Sequence, residues 1–259
     1  MTQLSEEQLA TWNRDGYLKV EGFLTPEEAQ SAINWVDEVA AWPDSEDKWI
    51  HHREETSSGI RLSRTENFMP FHEGMKLLLT TGKIVEAIGE LLGEEAVLYK
   101  EKINYKYPGG GGYAPHQDAP AYEFIKNHIT CLVAIDDNTP DNGCLYFAPG
   151  LHKQGLIALN EDGCIEESVA EEMDWIPMES KPGDVMFFSS YAPHMSPPNT
   201  SEQSRRALYL TYNVASEGDL RDDYYEDKRR SFAADSEGGS ESGRISKIGH
   251  FQGKTVLEK

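Results

Sequence analysis

The chain has 259 residues, and its 45 acidic against 24 basic side chains give a formal net charge of −21. Such a surplus repels phosphate backbones and anionic lipids, so we expect no nucleic-acid and no membrane partner. No stretch approaches the about twenty apolar residues of a membrane span, and the first residues lack a signal-peptide pattern. Three cysteines are too few for a disulfide framework. We therefore expect a cytoplasmic protein with reduced thiols.

Residues 1–95 show the patterns of helices. Ser5 begins a capping-box signal, and Thr25 followed by Pro26 makes a stronger one, with proline at the first helical position. A third amphipathic run occupies residues 77–92. The sequence therefore predicts a mostly helical N-terminal part.

From Val97 the pattern changes to short runs rich in β-branched and aromatic residues, separated by turn residues. These runs are VLYKEKINYKY, ITCLVAID, CLYFAPG, DVMFFSS and RALYLTYNVA. No helix-length pattern alternates with them, which favours an antiparallel double-sheet fold with the early helices packed outside. We predict one domain: a helical part at 1–95, a β core at 96–215 and a C-terminal extension at 216–259. Within that extension, residues 234–243 have the polar composition of a loosely held segment.

A candidate metal site begins at His116 and Asp118. In an extended segment, residues two apart point to the same side, so both side chains can reach one ion. His194 follows the apolar run DVMFFSS, and a neighbouring strand would deliver it to the same pocket. Two histidines and one carboxylate leave coordination positions open, as in non-haem iron(II) oxygenases. A His-x-Asp pair alone is a weak signal, but Arg205, eleven residues after His194, adds a cation that could grip the carboxylate of a chelating co-substrate.

Four motifs in this order resemble the phytanoyl-CoA dioxygenase family. They are HQD at 116–118, NGCLYFAPGLHK at 142–153, PGD at 182–184, and the histidine and arginine that are separated by ten residues at 194–205. The resemblance implies a double-stranded β-helix, a jelly-roll relative, that binds iron(II) and 2-oxoglutarate. It also implies an O2-dependent hydroxylation that releases succinate and CO2.

Carried over to this sequence, the family pattern makes His116, Asp118 and His194 the metal ligands. It makes Arg205 the partner of the distal 2-oxoglutarate carboxylate, with Asn104 and Thr130 as further 2-oxoglutarate contacts. The adjacent Arg206 is a competing anchor, but strand alternation turns only one of the two inward, and the family spacing selects Arg205.

The substrate candidates are polar and aromatic residues around the metal loop: Lys100, Lys102, Arg64, Asn67, Tyr113 and Tyr122. Cations clustered in an otherwise acidic protein suit a small anionic substrate. The resemblance suggests an aminoalkylphosphonate.

Two other interpretations remain open at this stage. A zinc-dependent hydrolase on a similar barrel also uses two histidines and a carboxylate, although it has no need of Arg205. A non-catalytic jelly roll that binds a small molecule would use the histidines as ordinary polar residues. The sequence leaves the oligomeric state open, a homo-oligomer included.

Overall fold

The computed structural model describes residues 3–56, 59–122 and 125–235, and the backbone of three two-residue strands after them. Most of the segment 234–243, expected to be loosely held, lies outside the described residues. The helices are α1 Glu6–Asp15, α2 Pro26–Ala40, α3 Glu73–Thr80, α4 Lys83–Leu92, α5 Glu167–Ala170 and α6 Arg221–Asp235. The strands are β1 Tyr17–Val20, β2 Ile50–Thr56, β3 Gly59–Glu66, β4 Ala96–Lys106, β5 Tyr113–His116, β6 His128–Ala134, β7 Leu145–Phe147, β8 Ile176–Met178, β9 Val185–Ser189, β10 His194–Ser196, β11 Arg205–Val214, β12 Ile245–Ser246, β13 His250–Phe251 and β14 Lys254–Thr255.

The N-terminal helices begin where the capping signals predict. The Ser5 hydroxyl accepts from the Gln8 backbone N–H at 3.2 Å, and the Gln8 side chain accepts in return from the Ser5 N–H at 2.8 Å. Thr25 closes the same reciprocal pair with Glu28 at the start of α2. The third amphipathic run is two helices, because Gly82 adopts a positive φ of 73° between α3 and α4. That conformation interrupts an α-helix.

The strands form two main sheets. The large sheet has the order β1-β9-β6-β11-β4-β3-β2-β12, and the small sheet has the order β5-β10-β7-β8. The described pairings are antiparallel except that of β12 with β2. This arrangement confirms the mainly β, double-stranded β-helix prediction. The N-terminal part, however, is not only helical, because β1, β2 and β3 belong to the large sheet.

The large sheet buries both of its faces. On β11, Leu208 and Leu210 pack with the helices in one hydrophobic core. Ala207 and Tyr209 pack in a second core, which includes Phe147 of the small sheet. Successive strand residues alternate between the two faces. Alternate residues of β4, β6 and β11 therefore point into the space between the sheets, except where Leu98 and Lys100 pair with consecutive residues of β11 and leave Tyr99 between them.

Among the described residues, no helix combines the length and apolar character that crossing a membrane requires.

Candidate active site

Three side chains with metal-binding atoms converge at one end of the small sheet. His116 is the last residue of β5 and His194 the first of β10, and the two are register partners. The Asp118 carboxylate lies between them, with one oxygen 3.9 Å from His116 Nε2 and the other 3.9 Å from His194 Nε2. One ligand atom from each residue lies within 4.8 Å of the others, and all three residues are buried. The strand pairing therefore produces the cluster that the sequence pattern suggested.

Both imidazoles are held with Nε2 facing Asp118. His116 Nδ1 lies 2.7 Å from the Ala114 carbonyl, and His194 Nδ1 lies 3.0 Å from the Ala192 carbonyl. Burial lowers the pKa of both rings, that of His116 to about 3. A neutral ring whose Nδ1–H donates to a carbonyl keeps its lone pair on Nε2. Each ring thus turns its Nε2 toward the Asp118 carboxylate, and a carbonyl that holds Nδ1 in this way is the usual support of a metal-ligating histidine.

Asp118 remains a carboxylate in this setting. Burial opposes its ionisation, but His194, Lys102 and His116 together hold its pKa below the ordinary value. The Thr130 hydroxyl on β6 donates to the Asp118 carboxylate at 3.4 Å. The carboxylate is therefore charged and oriented from the large sheet.

Gln117, between the two ligands, points the opposite way and is fully buried. Its amide nitrogen donates to the carbonyls of Tyr191 at 2.7 Å and Gly155 at 2.9 Å, and its oxygen accepts from the Ile157 N–H. These bonds attach the ligand loop to two other segments. Sequence analysis missed this role, although strand alternation already separates Gln117 from its neighbours.

Arg205 points into the space between the sheets, while Arg206 points away from it. Arg205 is 1% exposed, and its guanidinium donates through Nη1 to the hydroxyl of Tyr209 at 3.1 Å and to Asn138 at 3.4 Å. Arg205 Nε is buried with no hydrogen-bond partner among the described residues. Arg206 instead forms ion pairs with Asp136 and Asp37. An unpartnered buried donor on a cation matches a site for an anionic ligand.

A row of cations lines the inner face of β4 and β3. We call Arg64, Lys100 and Lys102 the cationic wall. In the β4–β11 ladder Lys100 is opposite Thr211 and Lys102 opposite Tyr209. Neither lysine has a hydrogen bond or ion pair to another described residue, and each ammonium lies over a ring, Lys100 at 4.4 Å from the centre of Tyr122 and Lys102 at 5.0 Å from that of Tyr209. Arg64 is paired with Glu66 at 3.3 Å, so the two lysines are the members of the wall without a direct anionic partner among the described residues.

The remaining predicted residues have different surroundings. Asn104 accepts from Arg64 Nε at 3.2 Å, and Tyr113 accepts from Arg64 Nη2 at 3.2 Å, so both contact the wall. The Tyr122 hydroxyl lies 3.2 Å from that of Thr211. Asn67 is separate: its side chain bonds to the Lys48 carbonyl and to Arg221. These two bonds give Asn67 a structural task and do not favour its predicted role at the substrate.

The donor set fits iron(II). Two imidazole nitrogens and one carboxylate, all buried and all facing one point, form the facial triad of non-haem iron oxygenases. The same space between the sheets contains the unpartnered Arg205 Nε, as a chelating dicarboxylate requires.

Comparison with known proteins identifies the family. The family model "Phytanoyl-CoA dioxygenase (PhyH)" matches residues 12–207. The chain belongs to this family, as the four motifs indicated. It is an iron(II)- and 2-oxoglutarate-dependent dioxygenase that uses O2 and acts on a small molecule, which decides against the zinc hydrolase and the non-catalytic jelly roll.

Two curated relatives cover nearly the whole chain. A methylphosphonate hydroxylase of Gimesia maris is 58% identical over 99% of this chain and 99% of its own length. A 2-aminoethylphosphonate dioxygenase of an uncultured bacterium is 43% identical over 92% of each. Among solved structures, EctD from S. alaskensis with 2-oxoglutarate and 5-hydroxyectoine is 22% identical, with a TM-score of 0.71 over 83% of this chain and 78% of that one. The likeness to EctD supports the fold.

Proposed function

We propose that this dioxygenase hydroxylates a small organophosphonate. The observation that carries the proposal is the cationic wall, whose two lysines have no anionic partner among the described residues. A tetrahedral dianion offers several oxygens to such donors. The two relatives named for phosphonates support the same class of substrate, since they align over nearly all of this chain.

We further propose that His116, Asp118 and His194 bind the iron, and that Arg205 binds the distal carboxylate of 2-oxoglutarate. The support is the placement of both imidazole Nε2 atoms beside Asp118, with each Nδ1 held by a backbone carbonyl, and the unpartnered Arg205 Nε. Asn104 on β4 and Thr130 on β6 lie on the two strands that flank β11, on the same inner face, and we assign both to the co-substrate site. Tyr209 is added to this set because its hydroxyl orients Arg205.

When bound, iron and 2-oxoglutarate supply an O2-dependent C–H oxidation that yields succinate and CO2. The side chains of the protein position the reactants for it. Arg64, Lys100 and Lys102 would hold the phosphonate oxygens, so that the carbon to be oxidised faces the three ligands. Phe147 and Phe188 pack against the His194 ring, which keeps water from that side of the site.

The test begins with an anaerobic titration of the metal-free protein with iron(II) and 2-oxoglutarate, followed by the visible charge-transfer band of the chelate. We expect the band in the native protein and in Arg206→Ala, a weaker band in Arg205→Ala, and none in Asp118→Ala. A native band in Asp118→Ala would contradict the ligand set.

In a second step, methylphosphonate and O2 are added. Stoichiometric succinate and a new hydroxylated product in the phosphorus NMR spectrum are expected. If the chelate band forms but no phosphonate is oxidised, the substrate proposal is wrong and the cofactor site stands.

The proposal also places the enzyme in the cytoplasm, without nucleic-acid or membrane partners. The net charge of −21 opposes both kinds of partner, and three buried free cysteines suit a reducing compartment.

A further inference from the structure

The cationic wall ends in a cluster of aromatic rings. Tyr99 on β4 packs against Tyr122, with 5.8 Å between ring centroids, and against Tyr224 on α6, with 4.9 Å. The Lys100 ammonium lies 4.4 Å from the centre of the Tyr122 ring and 5.7 Å from that of Tyr224. Proteins use such clusters to bind the cationic group of a ligand. Here the ammonium group of Lys100 already lies over these rings, where the cationic group of a ligand would otherwise bind.

The carboxylates near Lys100 are also engaged. Those that act on it most strongly are Asp118 and Glu66. Asp118 belongs to the proposed metal site. Glu66 is buried and pairs with Lys228 at 2.5 Å and with Arg64 at 3.3 Å. Neither carboxylate is left to bind an ammonium group on a substrate.

We propose that Lys100 selects against substrates with an amino group, so that the enzyme prefers alkylphosphonates to aminoalkylphosphonates. The inference rests on the proposed phosphonate function and narrows it, and it departs from the aminoalkylphosphonate that the sequence suggested. A substrate ammonium beside the Tyr122 and Tyr224 rings would meet Lys100, where no free carboxylate compensates. Like charges brought together in a poorly hydrated site are strongly unfavourable.

The protonation equilibrium of Lys100 also disfavours substrates with an amino group. Burial and the neighbouring Lys102 lower the pKa of Lys100 well below its usual value. A bound phosphonate group favours the charged form of this lysine, whereas a nearby ammonium disfavours it further. An aminoalkylphosphonate therefore binds only at the cost of repulsion or of deprotonating Lys100.

Part of this selectivity comes from outside the family match, which ends at residue 207. Tyr224 and Lys228 are residues of α6, and they contact Lys100 and Glu66 respectively. The C-terminal helix thus helps to position the lysine that discriminates.

The test compares two phosphonates of equal heavy-atom count, n-propylphosphonate and 2-aminoethylphosphonate, which differ in a methyl group against an ammonium. We measure kcat/KM for each, and dissociation constants under anaerobic conditions with iron(II) and 2-oxoglutarate bound. The native enzyme should favour propylphosphonate by at least about tenfold. Lys100→Met should reduce the ratio to about threefold or less, Lys100→Arg should keep it, and Lys102→Met, the matched control on the same strand face, should keep most of it.

Each comparison is a ratio within one protein, so a general loss of activity in a variant does not disturb it. Equal or better use of 2-aminoethylphosphonate by the native enzyme would overturn the inference. An unchanged ratio in both Lys100→Met and Lys100→Gln, or equal relaxation in Lys102→Met, would overturn the assignment to Lys100. If neither phosphonate binds or reacts while the chelate band forms, the phosphonate function itself is wrong, and this inference is wrong with it.

Discussion

The two faces of β4 differ in whether their charged side chains have a partner of opposite charge. On one face Glu101, fully buried, accepts from Arg221 Nε at 3.0 Å and Nη2 at 2.6 Å, and from the Met69 N–H at 3.0 Å. On the other face Lys100 and Lys102, its immediate neighbours in sequence, have only aromatic rings as partners. Charge that is fully paired attaches α6 to the sheet. The unpaired charge of the two lysines lowers stability, and under the proposed function a bound phosphonate would offset that loss.

β11 repeats the contrast with two consecutive arginines. Arg206 is paired with Asp136 and Asp37 on the helix side, whereas Arg205 retains an unpartnered Nε between the sheets. On β4 and β11 alike, Lys100, Lys102 and Arg205, the cations that we assign to ligands, have no anionic partner among the described residues.

The largest expected effect is a difference in the free energy of unfolding between variants of Glu101 and of Lys100. Glu101→Gln leaves Arg221 buried without its counter-charge, which should lower the free energy of unfolding by about 3–5 kcal/mol. Lys100→Met removes an unpaired, desolvated cation, so it should leave stability unchanged or raise it. Urea unfolding followed by circular dichroism measures both.

A stability loss in Lys100→Met as large as that in Glu101→Gln would contradict the distinction between paired and unpaired charge on β4. It would mean that Lys100 supports the fold rather than a ligand.

The next largest effect is a difference in the KM for 2-oxoglutarate between variants of Arg205 and of Arg206. Arg205→Ala should raise the KM for 2-oxoglutarate by about a hundredfold, because a buried carboxylate loses its charged partner. Arg206→Ala should change that KM by less than about threefold, since its pairs lie on the other face. Steady-state succinate production gives both values, and similar KM changes in the two variants would show that Arg205 is not the anchor.

The pH dependence of substrate binding tests the second lysine of the wall. Burial and Arg64 lower the pKa of Lys102 to about 8. The lysine is charged below this value and neutral above it, and a bound phosphonate favours the charged form. The KM for the phosphonate should therefore be low below about pH 8 and rise above it, by up to about tenfold per pH unit.

Lys102→Arg is the control for this profile, because arginine stays charged throughout the range and its profile should be flatter. The titration of the substrate is common to both proteins. Identical profiles in the native enzyme and in Lys102→Arg would remove Lys102 from the substrate site.

Much of the candidate site could be predicted from the sequence, because strand periodicity determines on which face of a sheet each side chain lies. The period of two puts His116 and Asp118 on one side, and it puts Arg205 and Arg206 on opposite faces. Those two geometric expectations agree with the structure. The capping signals at Ser5 and Thr25 are local in the same way, and they located two helices.

What sequence analysis missed depends on contacts between distant segments. β3 is rich in charged residues and its apolar alternation stops after Ile60 and Leu62, so its pairing with β2 and β4 is what makes it a strand. Asn67 follows Arg64 closely in sequence, yet its amide bonds to Arg221, 154 positions away. Tyr224 and Lys228 lie on a helix of low hydrophobic periodicity, and only the fold brings them to the wall. No local pattern carries information of this kind.

The smallest expected effect concerns the hydroxyl that orients Asp118. Thr130 donates to that carboxylate at 3.4 Å, a long bond, while Thr65 on β3 is equally buried but bonds to His51 on the helix side of the sheet. Loss of one hydrogen bond of this kind costs about 1 kcal/mol, so Thr130→Val should weaken iron(II) binding roughly fivefold. Thr65→Val should lower stability by a similar free energy and leave iron affinity unchanged. Anaerobic metal titrations of the two variants decide, and equal iron affinities would mean that the Asp118 carboxylate is oriented without Thr130.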